Sequence, residues 1–291
     1  SWSSKTYTVS GTDNNGKAYS IVFNSSGKMT SWTYDGKNLI AAGPDFNSYR
    51  KVDNDRGFSP SFSKSSNLSI KSTLAKSGNN ATMSVNGSAT GCSYTINYTF
   101  YPDGTVDMNV KFSPSQSSQS LARIGLGMQF ASGFENVEFY ARGPRSNYSD
   151  RKTGSYLGRF TTTVDDMVDE MIHPQTFGDH EDMRELILTN RASNVQIGIK
   201  AGGRASFSLS HYDETKWCKS GDSMWNTNLH WYDLKRYQQV FAHFDYLQRG
   251  LGNNSCGGDS CLSDYVCPSS GNYSYTLRFT PQSGGNAQIT E

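Results

Sequence analysis

Three stretches of the chain gather side chains able to grip a polyhydroxylated ligand. The first runs Gly43-Pro44-Asp45-Phe46-Asn47-Ser48-Tyr49-Arg50 and on through Asp53-Asn54-Asp55-Arg56-Gly57. The second spans Tyr140 to Arg151 and carries Arg142, Gly143-Pro144, Asn147, Tyr148 and Asp150; the third runs from His243 through Asp245, Arg249, Gly250-Leu251-Gly252, Asn253 and Asn254 to Gly257. Arg, Asn and Asp match vicinal hydroxyls, while an aromatic ring covers the apolar face of a sugar. Long loops also use Arg and Asp to satisfy buried backbone groups, so composition leaves both roles open.

Other acid–base groups are weaker candidates. Glycosidic cleavage needs two carboxyls about 5 to 9.5 Å apart. Asp165-Asp166, Asp169-Glu170 and Asp179 with Glu181-Asp182 are clustered, but acids clustered in polar loops are expected to be solvated. Of the five histidines, His173 precedes a proline and His180 sits among acids, which places both on a loop rim; His211 and His230 carry no stronger signal, and His243 lies in an alternating run. A hydrogen-bonded imidazole is the expectation for each. His180-Glu181-Asp182 offers cation ligands without other support. No G-x-S-x-G, phosphate-binding loop or dinucleotide fingerprint is present, and Gly125-Leu126-Gly127 reads as close strand packing. Cys256, Cys261 and Cys267 fit no common zinc spacing, and one disulfide among them is the better reading, with Cys92 and Cys218 standing apart. No catalytic residue, metal or cofactor is assigned.

The elements that must position these groups are strands. Apolar and polar residues alternate at a period of two from end to end, the β signature. Strands are predicted at Tyr7–Val9, Tyr19–Phe23, Met29–Tyr34, Cys92–Phe100, Thr105–Phe112, Ala122–Phe130, Val137–Tyr140, Leu186–Leu188, Val195–Lys200, Ala205–Ser210, Val240–Gln248 and Tyr273–Phe279. Tyr101-Pro102-Asp103-Gly104 turns the clearest hairpin. The one helix signal, Ser210 to Lys216, has Ser210 as its candidate cap and is long enough for a turn or two. The fold class is therefore all-β, a large antiparallel sandwich, with residues 1–279 as a single domain and 280–291 as a polar linker or tail.

Composition narrows the partners. The 291 residues carry 27 Lys and Arg against 26 Asp and Glu, so nothing favours nucleic acid or an anionic membrane surface. The longest apolar run falls far short of the roughly 20 residues of a spanning helix. Aromatics reach 13%, enough to build a core although hydrophobic residues total only 35%. No signal peptide opens the sequence, so an export signal would have been removed or would lie outside it. The cysteine cluster and the richness in Ser, Asn and Tyr point to an extracellular or periplasmic setting.

Six segments, in order, resemble the C-terminal β-sandwich domain, or small chain, of the β-galactosidases of glycoside hydrolase family two. They are Arg50 to Asp55, Arg123-Ile124-Gly125-Leu126, Gly143-Pro144 through Asn147-Tyr148 to Asp150-Arg151, Pro174-Gln175 to Arg184-Glu185-Leu186, Phe207 to Ser210, and Gly250-Leu251-Gly252 onward. The resemblance implies a galactose mutarotase-like super-sandwich of two sheets. It also implies catalytic glutamates on a separate (β/α)₈ barrel, with this domain lending loops to the mouth of the pocket and unable to hydrolyse alone. The expected partners are a galactoside or other carbohydrate and the other domains of the parent hydrolase. The expected polar rim is Arg50, Asn54, Arg142, Asn147, His243, Asn253 and Asn254. Two departures stand out: Cys256 occupies the place of a sugar-stacking Trp, and no Pro lies between Arg50 and Asp53. The alternatives are a free-standing carbohydrate-binding module and an aldose epimerase using His173 or His243 with Glu185.

Overall fold

The computed structural model describes residues 5–51, 67–116, 120–217, 229–252 and 261–284. In chain order the strands are β1 (Tyr7–Thr12), β2 (Ala18–Phe23), β3 (Met29–Tyr34), β4 (Lys37–Asn38), β5 (Ile40–Asn47), β6 (Asn67–Ser77), β7 (Asn80–Ala89), β8 (Cys92–Phe100) and β9 (Val106–Pro114). They continue as β10 (Arg123–Phe130), β11 (Asn136–Gly143), β12 (Tyr156–Thr163), β13 (Glu185–Asn190), β14 (Val195–Gly202), β15 (Ser206–Tyr212), β16 (Arg236–Gln248) and β17 (Tyr273–Ser283). All pairings are antiparallel.

One layer is a nine-stranded sheet, β12-β11-β13-β14-β17-β9-β8-β7-β6; the other is made of two four-stranded sheets, β1-β2-β3-β4 and β15-β16-β10-β5. Aromatic contacts join the layers. Phe23 meets Tyr98 and Phe100, Trp32 meets Phe279, and Phe46 stacks on Tyr94 at 5.6 Å and touches Phe112. The two smaller sheets adjoin through β3 and β5, where Gly43 is required: a Cβ there would lie 2.4 Å from the Met29 carbonyl oxygen. A single hydrophobic cluster draws on all three sheets. Each large side chain it buries contributes about 1.5–3 kcal/mol by removal from water.

Every predicted strand is present. The Cys92–Phe100 alternation becomes β8, buried at every second residue, and Gly104 turns it into β9 with a φ of 83°. The short β4 and the longer β5, β6, β7 and β12 are additional to the predicted strands. β5 holds Gly43-Pro44 and reads as a loop; β6 and β7 are Ser-, Thr- and Asn-rich; β12 is a sheet-edge strand with Tyr156 and Leu157 exposed. The helix signal is corrected: β15 runs to Tyr212, and only a 3-10 turn follows at Glu214–Lys216. Its cap is Asp213, whose side chain accepts from the Thr215 N–H, not Ser210. Strand β17 also extends past the predicted tail boundary to Ser283, pairing Gln282 with Gln196.

Cys92 and Cys267 are buried thiols, each pushed up to about 12 by burial. Cys267 therefore takes no part in the expected disulfide; Cys218 and Cys256 lie outside the described residues.

Candidate functional site

The sheet β15-β16-β10-β5 has two unlike faces, and its sequence dictates them. Residues opposed across neighbouring strands share a face. Phe207, Phe244, Leu126 and Phe46 stand in one row and enter the core. The alternate rows point away from it: Ser206, Asp245, Gly125 and Asn47, then Ser208, His243, Gly127 and Asp45. This polar outer face is largely covered by the segment Pro174–Asp182 and the turn at Glu214. Thr176 N–H donates to the Lys51 carbonyl at 2.7 Å, and His180 bridges to Phe207.

Arg123, fully buried, organises the covered part. Its Nε and Nη2 donate to Asp245 Oδ2 at 2.9 and 2.6 Å, and its Nη1 to Glu214 Oε1 at 3.1 Å. Glu214 Oε2 accepts from Thr176 Oγ1 at 2.6 Å, and its carbonyl accepts from the Tyr49 hydroxyl. Burial would lower the Arg123 pKa, but Asp245 and Glu214 outweigh it and hold the guanidinium charged. Burial raises both carboxyls above their ordinary range, and Arg123 offsets part of that. Asp179 is pushed further up by burial and by Glu181 and Asp245, and its Oδ1 accepts from Ser206 Oγ.

His243 stands beside this cluster. Asn47 Oδ1 accepts from Tyr49 N–H at 3.1 Å, which orients the Asn47 amide so that its Nδ2 donates to His243 Nδ1 at 2.8 Å. The remaining ring proton then lies on Nε2, 3.3 Å from Glu214 Oε1. Burial and Arg123 both hold the His243 pKa well below its ordinary value, so the ring is neutral.

Where the covering segments stop, the outer face opens into a cleft of about 350 Å³. Gly127 is part of its lining; Asp45, Asn47, His243, Glu214, Phe241 and Tyr212 stand around it. A broader depression of about 760 Å³ on the nine-stranded sheet is lined by Ser, Asn and Thr with Lys111 and two tyrosines, and it has no acid–base pair.

The three loops singled out in the sequence meet at one end of this sheet. Arg50 donates from Nη1 to the Arg249 carbonyl and from Nη2 to the Gly250 carbonyl, joining the first loop to the third. Asp150 accepts from Leu251 N–H at 3.1 Å and Gly252 N–H at 2.5 Å, joining the second to the third. Glycine is needed at both flanking positions, since a Cβ on Gly250 or Gly252 would lie within 2.7 Å of the Asp150 carboxyl.

Among the expected rim residues, Arg50 is buried with its guanidinium on loop backbone. Asn147 is also buried: its Nδ2 donates to the Arg142 and Arg145 carbonyls and its Oδ1 accepts from Glu181 N–H. Arg142 is partly exposed, pairing with Asp182 and donating to the Ser155 carbonyl at 2.8 Å. His243 stands in the cleft. Asn54, Asn253 and Asn254 lie outside the described residues, as do Cys256 and the rest of 52–66.

Other expectations need correction. His180 is buried, not on a rim; it stacks on Phe207, and its Nδ1 donates to the Arg142 carbonyl. Asp179 and Glu181 are buried rather than solvated. Glu185 pairs with Lys200, so the carboxyl beside His243 is that of Glu214. Glu135, Asp165 and His211 come close enough to hold a cation, but Arg236 donates to both oxygens of Asp165 at 2.9 and 3.1 Å and occupies that place. Arg123, Asp245 and Glu214 were not picked out as a cluster. The signal available was polar residues on the outward register of three strongly apolar strands.

Comparison with known proteins agrees with the architecture. The chain is 28% identical over 163 residues to a β-galactosidase of Staphylococcus xylosus, covering 56% of this chain and 15% of that protein. It is 26% identical over 255 residues to a β-galactosidase of Bifidobacterium adolescentis, covering 81% and 23%. It thus spans less than a quarter of either relative. The crystal structure of the GalM/aldose epimerase homologue from C. elegans superposes with a TM-score of 0.52 at 9% identity, covering 97% of this chain and all of that one, a likeness of fold alone. Residues 15–279 match the family model of the β-galactosidase small chain, and the protein belongs to that family.

Proposed function

We propose that this chain is the sandwich domain of a larger β-galactosidase of glycoside hydrolase family two, whose converging loops complete the rim of a galactoside pocket. The observation that carries the reading is the fastening of the third loop by the other two. Arg50 holds the Arg249 and Gly250 carbonyls, and Asp150 holds the next two N–H groups. Such bonds fix the path of a loop at its base, the rigidity that a pocket rim requires. Arg50 and Asn147 act here as positioning residues. The catalytic carboxyls belong to the barrel, and the chain alone does not turn over substrate. Its partners are the barrel and the galactoside held between them.

The test uses the parent enzyme. Asp150→Ala releases the loop backbone and should raise KM for lactose by about tenfold or more, the equivalent of roughly 1.4 kcal/mol of binding. Unchanged KM and kcat would overturn the rim assignment, as would hydrolysis of a chromogenic galactoside by the 291-residue chain alone.

A further inference from the structure

Two of the five histidines stand apart from the buried networks. His180, His211 and His243 commit ring nitrogens to protein groups: the Arg142 carbonyl, the Gln239 carbonyl with Glu135, and Asn47 with Glu214. His173 and His230 instead face one another, with ring centres 6.0 Å apart and planes 45° from parallel. His173 is exposed and His230 half-buried, and among the described residues no protein group hydrogen-bonds to the His173 ring. We propose that this pair binds one divalent transition-metal ion of the zinc type.

The separation is close to what one shared ion needs. With about 2.1 Å for a metal–nitrogen bond and about 1.1 Å from nitrogen to ring centre, two imidazoles on a tetrahedral ion have centres about 5.2 Å apart. A linear arrangement sets the ceiling, about 6.4 Å. The observed 6.0 Å lies between these limits, so a small side-chain rotation brings both rings onto the ion. Imidazole nitrogen suits zinc, nickel and copper, whereas magnesium and calcium take oxygen ligands. Two protein ligands leave the other positions to water, which makes the site weaker than a closed four-ligand one.

Both ligands sit on anchored backbone. His173 precedes Pro174, a position confined to extended conformations. Three residues on, Thr176 N–H donates to the Lys51 carbonyl, and its hydroxyl accepts from Lys51 N–H and donates to Glu214. His230 N–H donates to Asp233 Oδ2 at 3.0 Å, and its ring stacks on Tyr232 at 5.2 Å. The two segments also pack on each other: Phe177 meets Trp231 edge-on at 6.1 Å, and Trp231 rests against Tyr212 at 4.9 Å. That aromatic contact fixes the spacing of the histidines before an ion arrives. The bound ion would clasp the start of the covering segment Pro174–Asp182 to the turn at Trp231–Asp233, without drawing on the bonds that fasten the third loop.

The experiment follows the histidine ring signals of the 291-residue chain by NMR during titration with zinc chloride, with magnesium chloride as the control. A saturable shift of the His173 and His230 rings together is expected at about micromolar to submillimolar zinc, one ion per chain, with none for magnesium. His173→Gln and His230→Gln should each weaken binding at least about tenfold while the melting temperature and far-UV circular dichroism stay native; should one fail to fold, the other decides. Absence of a saturable shift, movement of one ring alone, an equal response to magnesium, one ion shared by two chains, or unaltered binding by a folded variant would overturn the proposal. The rim reading is judged by turnover of the parent enzyme, so either can fail without the other.

Discussion

Arg123 with Asp245 and Arg278 with Asp107 are the same chemical pair in two settings. On the nine-stranded sheet, Arg278 Nε and Nη2 reach separate oxygens of Asp107, both at 2.7 Å, the forked arrangement that suits a guanidinium. Water still reaches that pair, as Arg278 is 49% exposed. Under the covering segments, Arg123 reaches only one oxygen of Asp245, and both side chains are 0% exposed. The carboxyls respond in opposite directions. Burial works to raise Asp107, but hydrogen bonds from Arg278 and Tyr101 win and lower it. Burial of Asp245 prevails over Arg123 and raises it. Proximity of opposite charges is not enough to favour the ionised form; the surroundings decide whether attraction exceeds lost hydration.

The largest expected effect tests the buried side. Asp245→Ala leaves Arg123 partly uncompensated in the interior and should cost about 3–5 kcal/mol in denaturant unfolding. A loss below about 1 kcal/mol would erase the contrast.

An intermediate effect concerns pH. The raised Asp179 pKa means its contribution is fully present below the unfolded carboxyl value and is lost as pH rises through the folded one. Asp179→Asn should therefore gain stability relative to the native chain as pH rises above the unfolded carboxyl value, seen as a rising difference in melting temperature. A constant difference would contradict a protonated Asp179.

Smallest of all is Asp107→Asn. The solvent-screened pair should contribute no more than about 1 kcal/mol, diminished by salt. Because the Asp107 pKa is lowered, that contribution is present above the unfolded carboxyl value and disappears as pH falls, the reverse of Asp179.

Period-two alternation reveals a strand when one face is dry and the other wet, which is why Cys92–Phe100 and Ala122–Phe130 were legible. It fails where both faces are polar, as in β6, or where Gly43-Pro44 interrupts a strand whose partner sits far along the chain. The convergence of the three loops was legible only through the family resemblance, since Arg50 and Gly250 are 200 residues apart. The Arg123 cluster was not legible. Glu214 is an ordinary acid after a short strand until the fold lays it over Arg123 and His243, and no local rule encodes that approach.

Cys267 gives the sandwich a reporter of its own. The residue is 1% exposed, and its sulfur lies 3.9 Å from the Leu247 carbonyl and has its ionisation delayed to about pH 12. An alkylating reagent needs both access and thiolate, and the native chain denies it each. The rate at which this one sulfur acquires a label, followed by peptide mass spectrometry, therefore clocks how often the end of β16 parts from its neighbours.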